Sequence, residues 1–367
     1  MHKVTFFPIG NADSCLIQLE NGQNLLFDYA HMKDLNNTND KRIHLENEIR
    51  AILSASNKTS LDIVAITHLD NDHIKGASDF FYLEHAEKYQ GPDRIKIETL
   101  WVPAAVILED GLEGEARILR AEARHRLKKG KGIRVFSRPV ALKSWLEKNN
   151  LNLEDREHLI SDAGTLLPGF SKDKNNLEIF VHSPFGFRQN EDTVIDRNSN
   201  ALAVHLTFFN EEVETKLFLT ADLACEAISD IVKITKYHKL ESRLQWDIMN
   251  LPHHCSYLSL ANEKGEEVTE PLDEIKYLFE KMAMPNPILI STSWPIPDDL
   301  DESQPPHRQA ANYYSQLGDF KVTMTFPNYL NPGRLEIKID KNKASIIKKD
   351  SSSGPIKIIS QSAHRAG

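Results

Sequence analysis

Within the six residues His68-Leu69-Asp70-Asn71-Asp72-His73 stand two imidazoles and two carboxylates, each able to donate to a divalent metal ion. The run before them, Leu61-Asp62-Ile63-Val64-Ala65-Ile66-Thr67, is apolar and β-branched, as a covered strand is. In α/β folds, chemistry gathers where strands end. A tight loop here can aim His68 and Asp70 at one centre, while Asp72 and His73 open the following helix and reach a second. A charged loop between strand and helix is the plain alternative and would suffice for an isolated His-x-Asp. Four ligand types so close favour a metal site.

Other strand ends carry the same residue types. Asn24-Leu25-Leu26-Phe27-Asp28 follows an Asn21-Gly22 hairpin turn and closes on an acid, either a turn residue or a support for the metal loop. Lys216-Leu217-Phe218-Leu219-Thr220-Ala221-Asp222 closes on another, an N-cap or a ligand. Trp246 to Leu251 reads as a strand leading into Pro252-His253-His254-Cys255-Ser256. Ile288 to Ser293 is followed by Gln304-Pro305-Pro306-His307-Arg308, a surface turn capping a helix or a substrate contact. In the second case Arg308 offers a fork for phosphate or carboxylate oxygens, and His307 a proton for a leaving group.

Together these segments resemble the metallo-β-lactamase superfamily, whose usual signature is His-x-His-x-Asp-His; Asp70 stands here at its second histidine. The His-x-Asp-x-Asp-His variant is similar to the hydrolase domain of ComEC-type proteins that take up DNA, and to stand-alone relatives of that domain. Val4 to Ser14 resembles that group's opening strand and turn, with Asn11 and Ala12 replacing Gln and Gly. The resemblance implies a four-layer αββα sandwich of the α/β class and two divalent ions, zinc or manganese, with magnesium admitted by the harder Asp70. It implies His68, Asp70, Asp72, His73, Asp222 and His253 as ligands, Asp222 bridging, with His254 the open alternative to His253. Asp28 would orient ligands by hydrogen bonding. Asp72, His254 and His307 would serve catalysis, and Ser256 and Arg308 would face substrate. The superfamily's isolated third-motif histidine has one candidate with a strand before it, His182. Cys255 occupies a position where glycine is usual.

The elements that position these residues follow from periodicity. Helices are expected over Ile43–Leu53, Gly114–Leu127, Leu223–Ile234, Glu270–Lys281 and His307–Leu317, and strands over Leu177–Val181, Leu202–Phe209, Phe320–Thr325 and Arg334–Ile339. Motifs spread from Asp28 to His307 can meet only inside one unit, so residues 1–348 are expected as one domain and 349–367 as a mobile polar tail. Residues 111–170 read as an insertion at the mouth of the site. They carry Arg117, Arg120, Arg124, His125, Arg126, Lys128, Lys129, Lys131, Arg134 and Arg138, a phosphate-tracking cluster or a solvated face.

The chain of 367 residues is 40% apolar with a formal net charge of −9, which argues against general duplex binding but leaves room for a local groove, a phosphorylated small molecule or a protein partner. No segment approaches the roughly eighteen apolar residues of a membrane span, so no membrane role is expected. The absence of a signal-peptide pattern and the odd set of Cys15, Cys225 and Cys255 predict a reducing, cytoplasmic setting. The ligand set predicts metal-dependent hydrolysis by a hydroxide shared between the ions, and the resemblance to the ComEC-type variant implies a phosphodiester as the substrate, with DNA its concrete form. Hydrolysis of a lactone, ester, thioester or lactam is the alternative, and a weakly active binding module a third.

Overall fold

The computed structural model describes residues 1–186 and 196–347; the tail expected over 349–367 lies outside the described residues. Among them, sixteen strands form two sheets. The first contains β1 (His2–Phe6), β2 (Cys15–Gln18), β3 (Asn24–Phe27), β4 (Ser60–Ala65), β5 (Phe81–Tyr82), β6 (Ile95–Pro103), β7 (Ile133–Phe136) and β8 (Ile160–Ser161), closed at the other edge by β15 (Leu335–Asp340) and β16 (Lys343–Ile346). Its order is β16-β15-β1-β2-β3-β4-β6-β7-β8, with β5 also paired to β6. The second sheet runs β14-β13-β12-β11-β10-β9. Its strands are β9 (Leu177–Ser183), β10 (Ala203–Asn210), β11 (Val213–Leu219), β12 (Trp246–Asn250), β13 (Ala283–Ser291) and β14 (Asp319–Val322).

Alternation along the strands explains how the sheets stack. In the β2–β3 hairpin Cys15 pairs with Phe27 and Ile17 with Leu25, while Leu16 pairs with Leu26. The first two pairs enter an apolar layer shared with Ile179, Val181, Val204, Leu206 and Leu217 of the second sheet. Leu16 and Leu26 join the opposite layer. That outer layer is covered by α1 (Leu45–Ala55), α3 (Ala77–Phe80), α4 (Ala104–Leu108), α5 (Gly114–Lys129) and α6 (Val140–Lys148); α2 (Asn71–Ile74) precedes α3. Beyond the short α7 (Lys172–Asn175), the outer face of the second sheet packs on α8 (Cys225–Tyr237), α9 (Asp273–Lys276) and α10 (Arg308–Tyr314). Three apolar layers between two sheets and two helical covers make the chain a four-layer αββα sandwich of the α/β class.

Residues 111–170, expected as an insertion, carry α5, β7, α6 and β8: parallel pairing of β6 with β7 and β7 with β8 continues the first sheet. Their basic side chains brace this edge. Arg120 and Arg124 donate to the carbonyls of Glu109 and Ile107, and Arg138 pairs with Glu157 and Asp162. Arg126 is buried against Glu122 and the carbonyls of Ile97 and Gly132.

Candidate metal centre

The connections after β3, β4, β11 and β12, which follow the carboxyl ends of parallel-paired strands, supply the cluster. Asp28 leaves β3 in the left-handed region at φ 57° and turns its carboxylate under the loop after β4. Its Oδ1 accepts from Thr67 N at 2.7 Å, and its Oδ2 from Thr67 Oγ1 and His73 Nδ1, each at 2.7 Å. Because the Thr67 hydroxyl proton is spent on Asp28, Thr67 Oγ1 can only accept from His68 Nδ1, 3.1 Å away. The third ring is fixed in the same sense, since His254 Nδ1 donates to the Thr292 carbonyl at 2.9 Å.

Three imidazoles thus have their Nδ1 committed as donors and turn their Nε2 atoms toward Asp222, that of His254 also lying 3.3 Å from Asp72 Oδ2. His73 Nε2 lies 3.3 Å from Asp222 Oδ1, while His68 Nε2 and His254 Nε2 lie 3.9 and 3.7 Å from Oδ2. His68 Nε2, His73 Nε2 and Asp222 Oδ1 are buried without a hydrogen-bond partner. Acceptor facing acceptor in a buried space requires a proton or a cation between them. Donor atoms of Asp72, His73, Asp222 and His254 lie within 4.8 Å of one another, a group that fits a metal ion.

The electrostatics describe the same imbalance. Burial opposes charge on His254, yet Asp222, Asp72 and Asp13 raise its pKa to about 9. Burial likewise works against His73, which Asp222 and Asp28 push well above the usual imidazole value. Burial would raise Asp222, but His254, His73 and His68 hold it well below the ordinary carboxylate range. A divalent ion would replace the protons that these rings otherwise take up.

The remaining expected residues fall into two groups. Asp70 and His253 lie beside the cluster: Asp70 Oδ2 is 3.4 Å from His68 Nε2, and His253 Nε2 is 3.9 Å from Asp222 Oδ2. Both histidines of the pair therefore border Asp222, with His254 inside the compact group and His253 beside it. They achieve this through consecutive left-handed residues, φ 48° at His253, 53° at His254 and 68° at Cys255. That last value explains why glycine suits the Cys255 position. Ser256 Oγ accepts from Leu258 N, and Arg308 is bound to Asp298 and the Pro297 carbonyl, contacts within their own loops. The buried His307 accepts from Tyr257 N at its Nδ1 and packs on the Tyr257 ring. His182 does not join the cluster: its Nε2 bonds the Arg243 carbonyl and its ring stacks on Phe218.

Sequence reasoning passed over Thr67, Thr292, Asp13 and Arg197. Asp13 is buried next to Asp28 and His73, and its N–H donates to the Asp72 carbonyl at 3.0 Å. Its place in the N-terminal turn was a usable signal. Asn11, in the same turn, ties it to the loop before His307 by bonding Trp294 N and the Pro305 carbonyl.

No family model and no curated protein matches the chain. Among solved structures it is similar to unliganded yeast PDE1, at 8% identity over 88% of this chain and 96% of that one, with a TM-score of 0.42. It is also similar to a diphosphatase of the PhnP family, at 11% identity over 92% and 97%, TM-score 0.33. A third is the metallo-β-lactamase GOB-18 from Elizabethkingia meningoseptica, at 12% identity over 76% and 85%, TM-score 0.31. At these identities and scores the likenesses assign neither substrate nor ion to this chain. No helix among the described residues is long and apolar enough to cross a membrane.

Proposed function

We propose that the protein is a metal-dependent hydrolase that cleaves phosphodiesters. The observation that carries this reading is the convergence of three Nε2 atoms on Asp222: those of His68 and His73 are buried with no hydrogen-bond partner, and that of His254 also lies 3.3 Å from Asp72 Oδ2. Asp72, His73, Asp222 and His254 would hold one ion; His68, Asp70, Asp222 and His253 would hold a second. Asp222 borders both sets: its Oδ1 faces His73, and its Oδ2 lies 3.7 Å from His254 Nε2 and 3.9 Å from the Nε2 atoms of His68 and His253. Bound divalent ions would supply Lewis acidity toward a substrate oxygen and toward water. The chain itself holds the rings in the ligating tautomer through Asp28, Thr67 and the Thr292 carbonyl.

Phosphodiesters are favoured over carbonyl substrates by Asp70 at a position where the usual signature has histidine, an oxygen donor that suits hard ions and oxyanionic substrates, and by the resemblance of His68 to His73 to the ComEC-type motif. Within that class a small phosphodiester is favoured over a nucleic acid. The basic side chains of 111–170 are largely spent on internal carbonyls and acids, and a cavity of about 620 Å³ beside Asp70 is lined by Glu109, Asp110, Glu113 and Glu115.

The deciding assay offers bis-p-nitrophenyl phosphate and single-stranded DNA to metal-stripped protein resupplied with manganese, magnesium or zinc, with Asp72→Ala alongside. Metal-dependent cleavage of the small diester that is lost in the variant supports the proposal. Cleavage of DNA in preference reverses the substrate order. Turnover of ester or lactone reporters with none of the diester refutes the phosphodiesterase reading.

A further inference from the structure

The signature's second position holds Asp70, whose two carboxylate oxygens give it more ways to bind than the imidazole it replaces. Something must decide which of its oxygens faces the cluster. Arg197 does so geometrically. Its Nη1 donates to Asp70 Oδ1, leaving Oδ2 toward His68 Nε2 at 3.4 Å. The rest of the guanidinium is gripped by Glu109, with Nε 3.0 Å from Oε1 and Nη2 2.6 Å from the same oxygen.

Arg197 is itself fixed from the chain side. It sits in a turn in which Asp196 accepts from Ser199 N and Oγ, and Asn200 N bonds the Asp196 carbonyl at 3.1 Å. Just beyond, Leu202 N donates to the Thr67 carbonyl at 3.0 Å, locking this turn to the residue that orients His68. Glu109 closes the frame from the end of α4. The guanidinium is therefore held by Glu109 through Nε and Nη2, and its Nη1 is left to Asp70 Oδ1 and, at 3.4 Å, to the Leu69 carbonyl next to it.

We propose that Arg197 is a positioning residue for the metal centre: it fixes Asp70 as a one-oxygen ligand and thereby builds the ion position at His68 and Asp70, leaving the one at Asp72, His73 and His254 untouched. This rests on the metal-centre reading above. Lysine could not replace it, because a point charge cannot hold Glu109 and Asp70 in one plane.

The test counts ions. Wild-type protein, Arg197→Met, Arg197→Lys, Asp70→Ala and the Arg197→Met/Asp70→Ala pair are stripped, titrated with manganese or zinc, and read by metal stoichiometry and by melting temperature. In the wild type two ions are expected. Both Arg197 variants should weaken one ion by about 10–100-fold, as loss of a ligand's orienting partner does, with the other unchanged. The double variant should be no worse than Asp70→Ala. Two ions bound at wild-type affinity in folded Arg197→Met overturn the proposal, as does equal weakening of both ions, which would mark a brace of the fold. Wild-type protein that takes up no ion refutes the metal centre itself, and this assignment with it.

Discussion

Asp28 is the residue through which the cluster is most exposed to a single change. One carboxylate oxygen serves both the Thr67 hydroxyl and His73 Nδ1, and the hydroxyl relays the constraint to His68. Asp28→Asn places a donor where two donors already point, so metal affinity should fall by about 10–100-fold while the sheets persist; a metal titration followed by circular dichroism checks both halves. A subtler test lies at Ala221, left-handed at φ 47° before Asp222. Left-handed backbone costs a non-glycine residue about 1–2 kcal/mol, roughly what glycine forfeits in chain entropy and lost methyl burial. Ala221→Gly should thus leave the denaturation midpoint nearly unchanged, whereas Ala51→Gly, at an exposed position inside α1, should cost about 1 kcal/mol. Equal losses would mean the turn stores no strain. What was legible at this scale was chemistry dense in sequence: His68 to His73, Asp222 and the His253-His254 pair announce themselves by type. Arg197 could not be seen, because its partners Asp70 and Glu109 are 127 and 88 residues away and nothing local marks it.

Elements were legible where one period dominated. α5 and α8 begin and end within a few residues of the apolar repeats that predict them. The expected helix over 270–281 is divided between α9 and a π-helical turn at Tyr277–Lys281, a distinction of hydrogen-bond register that side-chain spacing does not encode. The strands within residues 111–170 were missed for a related reason: β7 and β8 are short edge strands, and their parallel pairing is a long-range fact. Within α5 the charged run hides a buried pair, Glu122 with Arg126, both almost fully enclosed. Arg126→Met strands Glu122 and should cost about 3–5 kcal/mol, measured by urea unfolding at neutral pH. The pH dependence has a definite sign. Burial raises Glu122, but Arg126 outweighs it and holds the carboxyl below its ordinary value. Its contribution is therefore present above the unfolded pKa of about 4.3 and is lost as pH falls through the lower folded value. The stability gap between wild type and Glu122→Gln should shrink over that acid range. A gap constant with pH would mean that the pair adds no charge-dependent stability.

At the scale of the whole molecule, the cluster is a joint between the two sheets. Asp28, His68, Asp72 and His73 come from connections of the first sheet, and Asp222 and His254 from those of the second. The backbone already joins them there, through Leu202 N, just before β10, on the Thr67 carbonyl after β4. An ion held across this joint would bind the folded chain and not the unfolded one, in which ligands as distant as His68 and His254 no longer meet. Linkage then demands stabilisation by about 2.7 kcal/mol for each site at a hundredfold excess over its dissociation constant. For a chain of 367 residues, with an unfolding entropy near 2.1 cal/mol/K per residue, that is a rise of about 3–4 °C in melting temperature per ion. Calorimetry of metal-stripped protein with manganese or zinc added back should show it. Asp222→Ala should abolish it, because Asp222 faces both sets of histidines, while Asp72→Ala should leave the share owed to the ion beside His68 and Asp70. A melting temperature indifferent to metal in the wild type would mean that the orphaned nitrogens are satisfied by protons, and the centre would lose its claim to chemistry.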